Sequence, residues 1–268
     1  MKVKQFENYL VKSNLARNTI MAYLLTVKNF MKDYKTINHK NLIEYKSYLI
    51  DNYKYQTVNL RLQGLNKYLD FIEKPDLKLK FIKVQQRNFI EHVISDADYK
   101  YLKSKLKQNN DIKWYYIVWF LAATGARISE LLQIKVEHLL VGYLDICSKG
   151  GKIRRIYIPK RLRTDALKWT KENNYVTGFL FLNNLGNRIS SRGIASQLKH
   201  FAINYGLNPQ TVYPHSFRHR FAKNFLEKYN DIALLADLMG HESIETTRIY
   251  LRKTSTEQQQ IVDTIIDW

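Results

Sequence analysis

The sequence contains few of the residues that hold small secreted proteins or repetitive proteins together. Cys147 is the single cysteine among 268 residues, which excludes an internal disulfide and a cysteine-based zinc cluster. Four prolines and ten glycines are too few for collagen-like or low-complexity stretches. The N-terminal segment MKVKQFENYL is charged and has no long apolar stretch, so neither a signal peptide nor a membrane anchor is predicted. We therefore expect a compact protein that acts inside the cell, in the cytoplasm.

The charge of the chain is strongly positive. Forty-three lysines and arginines against 24 acidic residues give a net charge of +19, which favours polyanions over small acidic metabolites as partners. Residues 1–84 carry +9 and residues 85–268 carry +10, so both halves are predicted to contact phosphate. Nucleic acid is the first candidate partner. The alternative is a generally basic protein without a polyanionic partner.

The first 74 residues have helical spacing and no strand-like alternation. Their apolar residues recur three and four positions apart in four segments, which run from about Phe6 to Leu10, Asn18 to Tyr34, Asn38 to Ile50, and Thr57 to Ile72. Pro75 ends this four-helix unit. Residues 75–92 have weak periodicity and many charges, so we predict an extended linker between two domains.

The rest of the chain, residues 93–268, is mostly helical with one change of period. A nearly continuous apolar run from Trp114 to Ala123 is predicted to be buried, and Gly125 ends it. Residues 143–147 and 153–158 resemble two short strands joined by the glycine-rich hairpin turn SKGGK. Other helices are predicted over residues 162–171, 190–205, 214–229, 232–239, 243–250 and 257–266. The predicted fold class is mainly α with a small antiparallel β-sheet.

Several side chains in this second part suit phosphate chemistry. His215 and Arg218 follow Pro214, which favours the first turn of a helix, so the two lie one turn apart on one face. His241 follows Gly240 at a junction between helices, and Tyr250 lies on the next helix. Taken singly, each has an ordinary structural interpretation, because HxxR occurs by chance and a histidine near a helix start is usually structural.

The combined order of six residues changes that interpretation. They are Arg127 in ATGARISELL, Lys152 in SKGGKIRR, His215 and Arg218 in HSFRH, His241 in MGHES, and Tyr250 in TTRIY. This set resembles the signature of the tyrosine recombinases, the family that contains phage integrases and the Xer dimer resolvases. The resemblance covers essentially the whole chain. It implies a core-binding domain of SAM-like fold over residues 1–74 and a catalytic domain over residues 93–268, with a C-terminal exchange helix at 257–266.

The resemblance also implies a role for each site residue. It makes Tyr250 the nucleophile, Arg127 and Arg218 the phosphate clamp, and Lys152 on the hairpin the acid. Guanidiniums suit the clamp because they are always charged and hold phosphate oxygens through paired hydrogen bonds. The departing 5′ oxygen needs a proton, which a lysine on a glycine-flanked turn can deliver. Lys149 is the nearest competitor of Lys152.

The two histidines complete this implied site. Tyrosine has a pKa near 10, so Tyr250 needs a proton acceptor or a strongly positive setting, and His215 is the first candidate for that acceptor. His241 is expected to donate a hydrogen bond to the phosphate, with a role as proton carrier left open. Glu130, one helical turn after Arg127, either orients the site or is a plain solvated residue. No carboxylate cluster, HExxH motif or phosphate-cradling glycine loop is present, so no metal, ATP or other cofactor is expected.

The resemblance thus implies a site-specific recombinase that cleaves and rejoins double-stranded DNA at specific recombination sites through a 3′-phosphotyrosine intermediate. It also implies self-association into a tetramer on paired sites and a place in the nucleoid, with no membrane partner. Integration, excision, inversion and dimer resolution all stay open. The alternatives are a type IB topoisomerase that relaxes supercoils and a sequence-specific DNA-binding protein that has lost catalysis. The helical front domain and the terminal helix favour recombination.

Overall fold

A computed structural model of the chain describes residues 3–83, 92–147, 153–251 and 255–265. The chain divides into two compact units, Met1–Gln86 and Arg87–Trp268. In the part of the chain that is described, every helix is too short or too polar to span a lipid bilayer.

The first unit consists of four helices around an apolar core. These are α1 (Val3–Lys12), α2 (Arg17–Asp33), α3 (His39–Asn52) and α4 (Tyr55–Phe71). The four helices predicted from apolar spacing are confirmed, and the side chain of Asn38 caps α3 by accepting a hydrogen bond from the backbone N–H of Asn41 at 2.8 Å. The α2 and α4 helices pack against each other, with Val27 and Leu62 buried in the core.

The first part of the segment that the sequence predicts as an extended linker, residues 75–92, packs against α4. The Asn66 side chain bonds both the N–H and the carbonyl of Leu79, each at 2.9 Å, and Asn59 does the same with Ile82 at 2.8 Å. The seven residues of helix from Asn59 to Asn66 span about 10 Å, and so do the three residues of extended chain from Leu79 to Ile82. The spacing of the two asparagines therefore matches the spacing of the backbone groups that they bond. Residues 75–83 therefore pack on the first unit, and residues 84–91 lie outside the described ranges.

The second unit is built mainly from helices. They are α5 (Asp96–Gln108), α6 (Ile112–Thr124), α7 (Ile128–Leu131), α8 (Val136–Val141), α9 (Lys160–Glu172), α10 (Ser191–Asn204), α11 (Pro214–Tyr229), α12 (Ile232–Met239), α13 (Ile244–Arg248) and α14 (Ser255–Ile265). The predicted apolar run forms α6, which packs against α5, α9 and α11. Its side chains Ile117, Phe120 and Leu121 are fully buried, which confirms its place in the core.

A two-stranded antiparallel sheet completes the second unit. Strand β1 (Tyr143–Cys147) pairs with β2 (Ile153–Tyr157), with Tyr143 opposite Tyr157 and Cys147 opposite Ile153. The predicted hairpin strands are confirmed, while the connecting residues 148–152 lie outside the described ranges. Burial alternates along both strands, as expected for a sheet with one face on the core. Arg154 occupies one of the buried positions, where its charge is paired with Glu130.

Candidate active site

The site begins at the sharp chain reversal after α6. Gly125 adopts φ +60, and an added Cβ would lie 2.5 Å from the Phe221 ring, so this turn requires glycine. The chain then becomes extended at Arg127, which is the N-cap of α7. The Glu130 carboxylate accepts a hydrogen bond from the backbone N–H of Arg127 at 2.7 Å, which is one half of a capping box. The sequence GARISE therefore fixes where the Arg127 side chain starts.

The side chain of Arg127 has two further contacts. Its Nη1 donates to Oε1 of Glu130 at 2.8 Å, and its Nη2 donates to the carbonyl of Gly240 at 3.0 Å. About a third of the side chain (36%) is exposed. The guanidinium is thus held in place and still accessible from solvent.

Arg218 lies on α11 and is almost completely buried (2% exposed). Its Nη1 donates to the carbonyl of Gly125 at 2.6 Å, and its Nη2 donates to the carbonyl of Met239 at 2.7 Å. Burial and the charge of Arg127 lower the pKa of Arg218 to about 10, so the side chain stays charged at neutral pH. A fixed positive charge is therefore present in the interior of the site.

His241 lies directly after the left-handed Gly240 that ends α12. Its Nε2 is 3.0 Å from Nη2 of Arg218, and its Nδ1 is 2.7 Å from Oγ1 of Thr247. Because a guanidinium can only donate, Nε2 accepts this bond and the ring proton lies on Nδ1, which donates to Thr247. Burial, followed by the charge of Arg218, lowers the pKa of His241 to about 4, so the ring is neutral at neutral pH.

Tyr250 is brought into this cluster by a short 3-10 turn, Ile249–Leu251, that follows α13. The sequence predicted one helix over residues 243–250, whereas α13 ends at Arg248 and the tighter turn carries the tyrosine. The side chain is buried (6% exposed), and its ring stacks on His241 with 6.2 Å between ring centroids. Burial raises the pKa of Tyr250, and the charge of Arg218 opposes that rise.

The structure places a second histidine beside the phenol. Nδ1 of His219 is 3.2 Å from the Tyr250 hydroxyl oxygen. His215, which the sequence suggested as proton acceptor, lies one helical turn before His219, with 6.3 Å between the two ring centroids. Burial, followed by the charges of Arg218 and Arg127, lowers the pKa of His215. The role assigned to His215 stays a prediction, and His219 is a contact that the sequence reasoning missed.

The predicted acid Lys152 and its competitor Lys149 both lie outside the described residues. Of the six predicted site residues, Arg127, His215, Arg218, His241 and Tyr250 lie in one cluster of the second unit, connected by the contacts given above. Among the described residues, no group of three histidine, cysteine or acidic side chains is placed to hold a metal ion.

Arg154 on β2 is the second residue that the sequence reasoning missed. Its Nη1 donates to both carboxylate oxygens of Glu130, at 2.7 and 2.6 Å, and both side chains are buried. Burial raises the pKa of Glu130, but Arg154 and Arg127 outweigh it and hold the pKa below its usual value. Glu130 is therefore an ionised partner of two arginines and not a solvated residue. The alternation along β2 could have indicated this role, because it places Arg154 on the core face of the strand.

The carbonyl groups at the end of α12 accept hydrogen bonds from three arginines. Its last four carbonyls have no partner within the helix, and the dipole places partial negative charge there. Three successive carbonyls, those of Leu238, Met239 and Gly240, each accept a hydrogen bond from a different arginine. The donors are Arg154, Arg218 and Arg127, at 2.8, 2.7 and 3.0 Å respectively. This arrangement offsets the mutual repulsion of the three positive charges.

Replacing Glu130 by glutamine is expected to lower both stability and catalysis. The change leaves Arg154 as a buried charge without its counter-ion, which costs about 3–5 kcal/mol of unfolding free energy. Urea unfolding measures this loss. Asp145→Asn is the matched control, because Asp145 pairs with the adjacent Arg155 at the exposed face of the same sheet, where an ion pair contributes about 0.2–1 kcal/mol. Equal losses in the two variants would contradict the buried ion pair.

The comparisons with known proteins agree with this geometry. Residues 92–257 match the model of the phage integrase family, which is more than half of the chain. The tyrosine recombinase XerA of Pyrococcus furiosus is 27% identical over 97% of this chain and 92% of its own length. The TnP I resolvase of Bacillus thuringiensis is 28% identical over 96% of both chains.

A solved structure has the same fold. The XerH site-specific recombinase, bound to a palindromic difH substrate in a post-cleavage complex, superposes with a TM-score of 0.72 at 20% identity, covering 100% of this chain and 85% of that one. The fold and the cluster around Tyr250 define a DNA strand-transfer enzyme. The chain belongs to the phage integrase family and is a tyrosine site-specific recombinase. Neither the topoisomerase alternative nor the catalytically silent one is favoured.

Proposed function

We propose that Tyr250 attacks a DNA phosphodiester, forms a 3′-phosphotyrosine and releases a 5′ hydroxyl, which is replaced by the 5′ hydroxyl of a partner strand. The observation that carries this proposal is the position of the phenol, which is bonded to His219, stacked on His241 and close to the buried charge of Arg218. The covalent link conserves the energy of the broken bond, so strand exchange needs no ATP.

Arg127 and Arg218 are proposed to bind the phosphate during attack. Negative charge grows on its non-bridging oxygens in the transition state, and preorganised guanidiniums stabilise that charge without moving. The contacts with main-chain carbonyls support this role because they fix both groups before substrate arrives. Arg127 is accessible enough to contact a phosphate directly.

His241 is proposed to donate a hydrogen bond to the same phosphate from Nε2. This requires its proton to lie on Nε2, the nitrogen that accepts from Arg218 in the structure. The hydroxyl of Thr247 can either accept from or donate to Nδ1, so it supports both tautomers of the ring. On phosphate binding, the N–H of Arg218 that bonds His241 bonds the phosphate instead, while the guanidinium keeps its bonds to the carbonyls of Gly125 and Met239. The tautomer change then leaves no polar group of this trio without a partner.

The experiment that tests the proposal traps the covalent intermediate. The DNA site is first recovered from a pool of random duplexes by selection for binding. A duplex with a nick just beyond the cleaved bond loses its short 5′-hydroxyl fragment, so rejoining stops. We expect a label upstream of the bond to become attached to the peptide that contains Tyr250. Attachment of the downstream label instead, or no covalent product with bound DNA, would overturn the proposal.

A substrate with sulfur in place of the 5′ bridging oxygen is expected to rescue Lys152→Ala. Sulfur leaves without needing a proton, so the loss of a general acid, about 10²–10⁴-fold in cleavage rate, should largely disappear. Single-turnover cleavage of the two substrates measures the rescue. Lys149→Ala is the matched control, three residues earlier in the sequence. Rescue of Lys149→Ala but not of Lys152→Ala would move the acid role to Lys149.

The remaining parts of the proposal concern assembly. Residues 1–74 are proposed to form a core-binding domain, so that both parts of the chain contact the recombination site, as the similar charges of the two halves suggest. Relatives named as Xer recombinases and as a resolvase support exchange between two paired sites. A tetramer on paired DNA is the matching self-association, with the C-terminal helix as the contact between subunits.

The structure of α14 supports this use of the C-terminal helix. The helix is formed over Ser255–Ile265, and its apolar side chains Ile261, Val262 and Ile265 are exposed. The apolar spacing of this helix predicts that the stripe docks within the same chain or is disordered in the free protein, and docks on a neighbouring subunit on paired DNA sites. In the structure the helix is formed and the stripe is exposed. An exposed stripe of this kind is typical of a surface that a partner covers.

Ile261→Ser combined with Ile265→Ser is expected to abolish stable pairing of two DNA sites while leaving binding to a single site intact. The reason is the loss of apolar area that a neighbouring subunit would cover. Gel mobility of one-site and two-site complexes measures both properties. Gln260→Ser combined with Thr264→Ser changes the same helix without touching the stripe and should pair sites normally. Normal pairing by the isoleucine variant would contradict the role of this helix.

A further inference from the structure

We propose that His219 is the residue that takes the proton of Tyr250 when the phenol oxygen attacks phosphorus. The inference deepens the proposed function and rests on it. It adds to the site a catalytic residue outside the six that the sequence pattern indicated.

His219 contacts the atom of Tyr250 that reacts. The Tyr250 hydroxyl oxygen is 3.2 Å from Nδ1 of His219, within reach of direct proton transfer. The two rings are inclined at 51° with 5.4 Å between their centroids. Tyr250 belongs to the apolar cluster that contains Ala222 and Leu226 of α11, the helix that carries His219. The nucleophile therefore packs on the element that carries its acceptor.

His241 is also close to Tyr250, but both of its ring nitrogens are already bonded. The basic nitrogen of His241 accepts from Arg218, and the other nitrogen of that ring carries the proton that goes to Thr247. His241 therefore has no lone pair for the phenol while Arg218 is bound to it. Among the described residues, His219 is the histidine whose ring nitrogen lies within hydrogen-bond distance of the phenol oxygen.

The His219 imidazole is in the charge state that a proton acceptor needs. Burial, followed by the charges of His215 and Arg218, lowers the pKa of His219 to about 4, so at neutral pH the ring is neutral and has a lone pair to accept the proton. The same surroundings make it a weak base before substrate binds. The negative charge of the bound phosphate, and more so of the transition state, favours the imidazolium and raises the basicity of His219 when attack begins.

The proton and electron balance of the step is complete. An oxygen lone pair of Tyr250 forms the bond to phosphorus while the bond from phosphorus to the 5′ oxygen breaks. The phenol proton goes to Nδ1 of His219, and the 5′ oxygen receives its own proton from the general acid. In the rejoining step the 5′ hydroxyl attacks phosphorus and gives its proton back to the deprotonated general acid. The bond from phosphorus to the Tyr250 oxygen breaks, and His219 returns its proton to the departing phenolate.

The test uses His219→Asn, which places an amide oxygen near the position of Nδ1. This variant can still accept the hydrogen bond and position Tyr250, but it cannot take up a proton at neutral pH. We expect DNA binding to be unchanged and single-turnover adduct formation at pH 7 to fall about 10²-fold or more. The rate of the variant should rise about tenfold per pH unit as phenolate forms, whereas the wild-type rate should rise less steeply with pH because His219 takes the phenol proton.

A change in the nucleophile then separates proton transfer from a structural role. The groups that also act on the charge of the phenol are Arg218, Arg127 and Tyr213, and these stay unaltered. Introducing a ring-difluorinated tyrosine at position 250 lowers the phenol pKa, so it should restore most of the rate of His219→Asn. The same fluorination should not restore His215→Asn, if His215 acts on the phosphate and not on the phenol.

Failure of the role of His219 can be distinguished from failure of the proposed function. Absence of an adduct with the wild-type protein would contradict the proposed function itself. A normal adduct rate and pH profile for His219→Asn, or a slow rate that fluorination leaves slow, would overturn the role of His219 while leaving Tyr250 as nucleophile. If fluorination rescues His215→Asn in place of His219→Asn, the acceptor is His215.

Discussion

Replacing Tyr250 by phenylalanine is expected to eliminate the covalent DNA adduct while leaving the fold and DNA binding intact. The side chain is buried and its ring packs in the cluster of α11 and α12, so phenylalanine fills the same space. Loss of the bond to His219 costs about 1 kcal/mol of stability. Removing a nucleophile lowers the rate of bond cleavage by about 10⁴-fold or more.

The measurement is adduct yield on the nicked duplex, with binding measured in parallel by gel mobility. Tyr229→Phe is the matched control, because Tyr229 is the last residue of the same helix α11 and is exposed. We expect normal adduct formation by this control. An adduct of normal yield in Tyr250→Phe, mapped to another of the 19 tyrosines, would assign the nucleophile elsewhere.

Replacing Arg218 by lysine is expected to slow cleavage by about 10²–10³-fold with little change in DNA affinity. Lysine keeps the positive charge but not the planar fork that bonds the carbonyls of Gly125 and Met239 together with His241. The loss falls on the rate because the charge that Arg218 meets develops only in the transition state. Single-turnover cleavage and the dissociation constant, measured on one duplex, separate the two effects.

Arg220→Lys is the control for this change. Arg220 lies two residues further along α11 and pairs with Asp96 at 2.8 Å, away from the contacts of Arg218. We expect its cleavage rate to stay within a few-fold of the wild type. If Arg218→Lys instead weakens binding and cleavage to the same extent, Arg218 is an ordinary contact to the DNA backbone and does not stabilise the transition state.

Local sequence rules were sufficient for most of the fold. The cap at Asn38 sets the start of α3, the apolar run before Gly125 forms the buried α6, and the change to a period of two yields the hairpin. Each of these follows from neighbouring residues alone. The tight turn at Tyr250 was missed because a 3-10 turn and the last turn of an α-helix place apolar residues at nearly the same spacing.

The parts of the site that could not be predicted depend on pairs far apart in sequence. Arg154 and Glu130 are ordinary charged residues until the sheet turns Arg154 toward the core. His215 and His219 both belong to the quoted HSFRH, and only the path of the chain after α13 determines which of the two rings meets Tyr250. The packing of residues 75–83 on α4 has the same origin, since it depends on hydrogen bonds from the Asn59 and Asn66 side chains to backbone groups that are distant in sequence.

The carbonyl triplet at the end of α12 has a mechanical consequence. Since its acceptors belong to the main chain, substitutions in Leu238 or Met239 change side chains without removing the oxygens that hold the arginines. Gly240 is the exception, because an added Cβ would lie 2.3 Å from the Arg154 side chain. The three arginines lie on other elements, so a small shift or rotation of α12 would alter three hydrogen bonds at once. A contact that moves this one helix would therefore change the support of three positive charges near the nucleophile together.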